Sequence, residues 1–96
     1  MTAQLIVLNV VALSPYMLGE HTPNLNKLLK QGYAAQPLHV QFPAVTTTSQ
    51  ACMLTGKQPK EHGIVGNGWY FKDLAEVMFW KQANQLVQSD KVYDQL

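Results

Sequence analysis

The sequence contains no arginine, a single cysteine and little charge, and each scarcity excludes a class of protein. Only 14% of the 96 residues are charged, and the formal net charge is +1. Without a basic stretch or a guanidinium group, binding to nucleic acid by charge is not expected. The one cysteine, Cys52, cannot form an internal disulfide, which excludes a disulfide-stabilised scaffold.

Long apolar runs are also missing. The run from Leu5 to Leu13 is interrupted by Asn9 and is shorter than the roughly 20 apolar residues that span a bilayer. No basic residue precedes this run, so it is a poor secretory signal. We therefore expect a cytoplasmic protein with no membrane partner.

Apolar residues are nevertheless plentiful. A hydrophobic fraction of 47% is enough for a core and excludes a disordered chain. Residues 4–13 are apolar on both faces, which is typical of a central strand in a parallel sheet. A helix is predicted to start at Thr22 and Pro23 and to end at Gly32, and residues 34–40 predict a less regular or edge strand. This β-α-β order predicts an α/β fold with a right-handed crossover.

The second half of the sequence predicts a short helix over residues 47–55, ended by Gly56, and then a glycine-rich loop. Residues 76–88 fit both helical and extended structure, and we favour an irregular segment. Ser89 is expected to cap a helix that has only begun where the sequence stops. Because a parallel sheet needs helices on both faces, residues 1–96 are predicted to be the N-terminal fragment of one larger α/β domain.

The segment FPAVTTTSQACMLTG, residues 42–56, is the most informative. It is predicted to set Thr46 at or just before a helix start, where free N–H groups and the helix dipole favour a phosphate or sulfate group. A threonine hydroxyl becomes a good nucleophile once a base or a metal removes its proton. The alternative is that the three threonines only supply an N-cap and ordinary helix residues.

A second segment, PKEHGIVGNGWY, carries Asn67 between Gly66 and Gly68. A carboxamide at such a turn can project into open space and donate to a phosphoryl oxygen. The alternative is that Asn67 only occupies a left-handed turn position, which asparagine favours.

Other residues that carry chemistry have simpler interpretations. Three histidines, His21, His39 and His62, match no local metal-site spacing, and His62 is predicted to fix its loop. Cys52 is predicted to be buried and inert. An aromatic cluster is predicted either to pack in a core or interface or to form a wall that stacks a nucleobase; its members are Trp69, Tyr70, Phe71, Phe79 and Trp80.

Four motifs in series resemble the nucleotide pyrophosphatase/phosphodiesterase family of the alkaline phosphatase superfamily. They are the strand LIVLNVVALSP, then TPNLNKLLKQG, then FPAVTTTSQACMLTG, then P-x-x-HGIVGNGWY, and they cover about residues 5–72. The resemblance implies an alkaline-phosphatase-like parallel-sheet domain with helices on both faces, of which this chain is the N-terminal part.

The resemblance also implies roles for individual residues. Thr46 matches the nucleophile that forms a phospho-threonine and is also a metal ligand, while Asn67 matches the asparagine that binds a phosphoryl oxygen. Thr47 is grouped with Asn67 as a substrate-binding residue. The family uses two zinc ions, and other divalent metals are possible. Its first aspartate ligand aligns with Val11, so that Asn9 is the nearest candidate metal ligand in the chain.

These residues predict metal-dependent hydrolysis of a small-molecule phosphodiester or nucleotide by the full-length protein, with the isolated chain inactive. One alternative is hydrolysis of another phosphate or phosphonate ester. A second is a non-catalytic binding module that has lost a metal ligand, and a third is a small independent interaction domain. Self-association through an exposed sheet edge is also expected.

Overall fold

The computed structural model describes residues 4–95. The chain divides into two compact units, and the division in the sequence falls between Leu38 and His39. Helices and strands are both present, in agreement with an α/β composition. The regular elements are α1 (Pro23–Lys30), α2 (Thr46–Thr55), α3 (Pro59–His62), β1 (Gly68–Phe71) and β2 (Glu76–Phe79). Short 3₁₀ helices span Pro15–Met17, Asn84–Leu86 and Val92–Gln95. No helix within residues 4–95 is long and apolar enough to cross a membrane.

The parallel sheet expected from the sequence is not confirmed. Residues 4–13 and 34–40 form no strand, and the sheet within the described part of the chain consists of two antiparallel strands. Apolar side chains in the first segment are exposed, with Leu8 at 80%. A central strand requires a hydrogen-bonded strand on each side, and residues 4–95 supply neither. The right-handed crossover therefore has no counterpart within residues 4–95.

Helix α1 forms where the sequence predicts it. Thr22 is its N-cap residue, Pro23 is its first residue, and Gly32 beyond its end has φ +98°. The Thr22 hydroxyl does not cap the helix, however. Instead, it accepts a hydrogen bond from Gly19 N–H (2.9 Å) and donates to Met17 O (3.0 Å), which ties α1 to the preceding turn.

Helices α2 and α3 form a small core. Helix α2 begins one residue before its predicted start and ends at Gly56, whose φ of +66° is the left-handed conformation typical of a C-cap. Helix α3 lies in the segment predicted to be a loop, and a capping box stabilises it: Gln58 N–H donates to the Glu61 carboxylate at 3.0 Å. Buried side chains cluster between these two helices and the turn after α3; they are Thr48, Ala51, His62 and Ile64.

The hairpin β1–β2 corrects the prediction of an irregular segment for residues 76–79. Its register pairs Gly68 with Phe79 and Phe71 with Glu76. A Cβ on Gly68 would collide with the Phe79 ring, so the sequence needs glycine there. The Trp69 and Phe71 rings lie on one face of β1 and stack with centroids 5.1 Å apart, and aromatic residues are favoured in strands.

The last turn of the chain is a 3₁₀ helix, and its cap differs from the predicted one. Asp94 Oδ2 accepts the Lys91 N–H at 2.8 Å, and this bond lowers the pKa of the Asp94 carboxyl. Ser89, the predicted cap, instead donates its hydroxyl to Glu61 O at 3.2 Å. Ser89 therefore fastens the C-terminal segment to α3.

Thr48 gives a direct test of how the small core is packed. Its side chain is 0% exposed, and its hydroxyl has no hydrogen-bond partner among the described residues. Because a buried hydroxyl without a partner costs about 1–3 kcal/mol, Thr48→Val is expected to raise the free energy of unfolding by about 1 kcal/mol. Urea denaturation measures the change. Thr47→Val, which removes a bonded hydroxyl, is the control and should be destabilising.

Candidate active site

The N-terminus of α2 lacks a side-chain cap of its own. Its N-cap residue is Val45, in an extended conformation (φ −116°, ψ 159°), and Thr46 and Thr47 are the first two helical residues. The alternative in which a threonine hydroxyl caps this helix is therefore wrong. Thr46 is exposed, so its hydroxyl stands at the positive end of the helix dipole and is open to solvent.

Asn67 supplies the missing cap from a distance. Thr47 N–H donates to Asn67 Oδ1 at 3.0 Å, and the Thr47 hydroxyl lies 2.6 Å from Gly66 O and 2.9 Å from Asn67 Oδ1. The structure thus brings together Thr47 and Asn67, which are 20 positions apart in the sequence. Asn67 is not among the residues with positive φ, so the left-handed turn alternative is also wrong.

These bonds fix the orientation of the Asn67 carboxamide. A backbone N–H can only donate, so the atom that faces Thr47 must be the oxygen, Oδ1. The amide nitrogen, Nδ2, then faces away from Thr47 with two donor hydrogens. No hydrogen bond between the described residues uses Nδ2. The site therefore combines a helix N-terminus, an exposed hydroxyl and a directed amide donor.

A cavity of about 540 Å³ adjoins this site. Thr46 and Thr47 form part of its wall, together with apolar and polar side chains that include Trp80, Tyr93, Leu54, Asn84 and Lys81. Within the predicted aromatic cluster, Trp80 is the member that lines the cavity. Tyr93 and Asn84 were missed at the level of sequence, and the hydrogen bond from Tyr93 Oη–H to Asn84 Oδ1 (3.1 Å) could not be inferred from spacing.

Trp80 reaches the cavity in an unusual backbone conformation. Its φ is +56°, and its N–H donates to Asn67 O at 2.8 Å. Positive φ is unfavourable for a bulky residue, and such strained positions cluster at functional sites. The bond places Trp80 and Asn67 at the same end of the hairpin.

His62 and Cys52 contact each other outside the cavity lining. His62 is 0% exposed, its Nδ1 accepts Ile64 N–H at 3.0 Å, and its Nε2 lies 3.2 Å from Cys52 Sγ. These contacts agree with the prediction that His62 fixes its loop. Cys52 is half-buried rather than buried. Burial lowers the pKa of His62 below its ordinary value of 6.5, although the neighbouring Glu61 carboxylate opposes the shift.

The lowered pKa of His62 predicts a pH dependence of stability. The folded state favours the neutral His62 ring. The stabilisation that the neutral ring gives to the fold is therefore complete above pH 6.5, its ordinary pKa, and is lost as the pH falls from 6.5 toward the lower pKa of the folded state. We expect the free energy of unfolding to decrease over that interval, as measured by urea denaturation at a series of pH values. His62→Asn, which keeps an acceptor for Ile64 N–H but does not titrate there, should flatten the profile. An unchanged profile would contradict the assignment.

The proposed metal ligands, Asn9 and Thr46, can be compared with the side-chain types that zinc prefers. Asn9 lies in the first unit, exposed, and Thr46 lies in the second. Residues 4–95 contain no cluster of three or more His, Cys, Asp or Glu side chains that could hold a metal ion. A hydroxyl and a carboxamide provide none of the imidazole, thiolate or carboxylate ligands that zinc favours. Residues 4–95 therefore do not fit a zinc site by themselves.

The helix that begins with Thr46 and the loop that carries Asn67 both lie within a segment that matches a protein-family model. A family model described as type I phosphodiesterase / nucleotide pyrophosphatase matches residues 5–96, and the chain belongs to this family. It is 35% identical over 54 residues to the alkaline phosphatase PafA of Elizabethkingia meningoseptica. That alignment covers 55% of this chain and 10% of PafA, so the chain matches about a tenth of the length of this curated relative. No solved structure gives a significant match.

Proposed function

We propose that the intact protein hydrolyses a phosphodiester or pyrophosphate bond through a phospho-threonine intermediate on Thr46. The observation that carries the proposal is the pairing of an exposed hydroxyl at the start of α2 with the Asn67 carboxamide held across the helix N-terminus by Thr47 N–H (3.0 Å). Family membership supports the same class of reaction.

The chemistry follows from this arrangement. Thr46 Oγ1 attacks phosphorus in line with the leaving oxygen and gives up its proton to solvent as the new O–P bond forms. The bond from phosphorus to the leaving oxygen breaks with its electron pair. Water then attacks the phosphorus of the phospho-threonine, the P–Oγ1 bond breaks with its electron pair, and a proton of the water restores the Thr46 hydroxyl as the phosphoryl product leaves. Phosphoryl transfer depends mainly on positioning and charge stabilisation, which the Asn67 Nδ2 donors and the dipole of α2 would supply.

The metal requirement is part of the proposal. Because the described residues do not fit a zinc site, we propose that two zinc ions, or another pair of divalent cations, bind in the intact protein with most ligands outside these 96 residues. Asn9 and Thr46 are the candidates within the chain. The same intact domain would contain a parallel sheet with helices on both faces, and residues 4–13 would form one of its central strands.

The cavity beside Thr46 is the proposed seat of the leaving group. An indole and a phenol, from Trp80 and Tyr93, provide apolar surface, and Lys81 adds a cation at the wall. Such a lining suits a small-molecule diester or nucleotide with an aromatic or apolar group.

Two alternatives have an observation in their favour. The similarity to a protein named as an alkaline phosphatase supports hydrolysis of a phosphate monoester. The valine at position 11, where the family pattern has its first aspartate ligand, supports a non-catalytic binding module, because Asn9, two residues earlier, offers only an amide.

A substrate comparison on the intact protein tests the proposal. With zinc added, a chromogenic phosphodiester is expected to turn over faster than the matching monoester and phosphonate, and chelation should abolish the activity. Faster turnover of the monoester would contradict the phosphodiesterase proposal and indicate a phosphatase instead. Binding of inorganic phosphate without turnover of any ester would overturn it in favour of the binding module.

A further inference from the structure

We infer that His62 and Cys52 form a positioning pair that holds the Asn67 loop against α2. The pair lies outside the proposed site and touches no reacting atom. Its relevance to phosphoryl transfer rests on the proposed function, whereas the geometry that it maintains can be measured without any substrate.

The hydrogen bonds of the His62 ring determine which nitrogen carries the proton. Ile64 N–H can only donate, so Nδ1, 3.0 Å away, must be an unprotonated acceptor. In the neutral ring the proton is then on Nε2, which donates to Cys52 Sγ at 3.2 Å. Both ring nitrogens are thus used, one within the loop after α3 and one on α2.

The main chain around His62 is held as well. His62 O accepts Gln88 N–H at 2.9 Å, and Gly63 follows with φ +81°. A Cβ on Gly63 would lie 3.2 Å from Gln88 Cγ, so the C-terminal segment packs closely over this turn. The direction in which the loop leaves α3 is therefore fixed before it reaches Asn67.

The loop between His62 and Asn67 is anchored twice on the same helix. At one end the His62 ring is bonded to Cys52, and at the other end Gly66 O and Asn67 Oδ1 are bonded to Thr47. Thr47 and Cys52 are five residues apart, or about 7.5 Å along a helix. A loop held at one point can pivot, whereas two anchors on a rigid helix define its position. Ile64, which lies between the two anchors in the sequence, is buried.

Hydrogen exchange of the 96-residue chain at neutral pH tests the inference. The reporter is Thr47 N–H, which donates to Asn67 Oδ1, and the reference is Ser49 N–H, which donates to Val45 O at 2.9 Å within α2. In Cys52→Ala, protection of Thr47 N–H relative to Ser49 N–H is expected to fall about tenfold, the effect of weakening one hydrogen bond. Cys52→Ser keeps an acceptor for Nε2–H and should lose less.

Met53→Ala is the matched control, because it truncates a larger, half-exposed side chain on the same helix and leaves the pair intact. It should leave the ratio of the two protection factors unchanged. A ratio unchanged in Cys52→Ala, or a loss as large in Cys52→Ser, would overturn the inference.

The tautomer of His62 provides a second test that needs no variant. Long-range ¹H–¹⁵N spectra of the wild-type chain should show the ring proton on Nε2, with Nδ1 unprotonated. A proton on Nδ1 would contradict the pair outright. Neither measurement uses turnover, so the inference and the proposed function fail by separate results.

Discussion

Thr46→Ala is expected to abolish phosphodiester turnover by the intact protein, with a loss of about 10³-fold or more. Removal of a nucleophilic side chain leaves only the catalysis that binding and charge stabilisation provide. Thr46 is exposed at the first position of α2, and the hydrogen bonds described at this helix start involve Thr47 rather than the Thr46 hydroxyl. The fold should therefore tolerate the substitution. Steady-state rates with a chromogenic diester measure the effect.

Two further variants make this result specific. Thr46→Ser keeps a hydroxyl at the same position and should retain measurable activity, and acid-quenched protein should carry a labelled phosphoryl group only when residue 46 has a hydroxyl. Ser49→Ala, one turn further along α2, should have little effect. Full activity in Thr46→Ala would remove Thr46 as the nucleophile and leave the family assignment unchanged.

His62→Ala is expected to lower the free energy of unfolding by about 3 kcal/mol. The substitution leaves the Ile64 N–H without an acceptor, which costs about 1–3 kcal/mol when the group is buried, and the missing ring leaves a cavity whose walls relax only in part. His62 is 0% exposed, so water cannot replace the lost contacts in the folded state. Urea denaturation at neutral pH measures the change.

His21, an exposed histidine, provides a matched control for the His62→Ala variant. His21 has a side chain that is 90% exposed and lies 3.2 Å from the equally exposed Glu20 carboxylate. His21→Ala should change the stability by less than about 0.5 kcal/mol. Equal effects of the two substitutions would show that the hydrogen bonds of His62 contribute nothing to folding.

Local sequence signals predicted helices α1 and α2 well, but they missed helix α3 and predicted the sheet poorly. Pro23, Gly32 and Gly56 act through their own backbone preferences, so the limits of α1 and α2 could be predicted to within about one residue. Residues 4–13 have the composition of a buried strand, but a strand also needs partners that are distant in the sequence. The hairpin β1–β2 was missed because its stability comes from cross-strand contacts such as Gly68 with Phe79.

The candidate site shows the same contrast between features set by local sequence and features set by long-range contacts. The position of Thr46 at a helix start could be predicted because helix starts have local signatures. The bond between Asn67 Oδ1 and Thr47 N–H joins residues 20 positions apart, so the orientation of the carboxamide became evident only in the structure. The tautomer of His62 follows from the bond that Ile64 N–H donates to Nδ1, and the contact of Nε2 with Cys52, ten positions away, was likewise evident only in the structure.

The bond from Trp80 N–H to Asn67 O closes the base of the hairpin, with β1, the turn at residues 72–75 and β2 extending from it. Every residue of the hairpin lies between these two closely spaced points. Chain can therefore be added at the tip without changing the separation of Asn67 and Trp80. The tip is therefore a place where an insertion leaves the Asn67 end of the hairpin unchanged, and in protein engineering it is a suitable position for a fluorophore or an affinity tag.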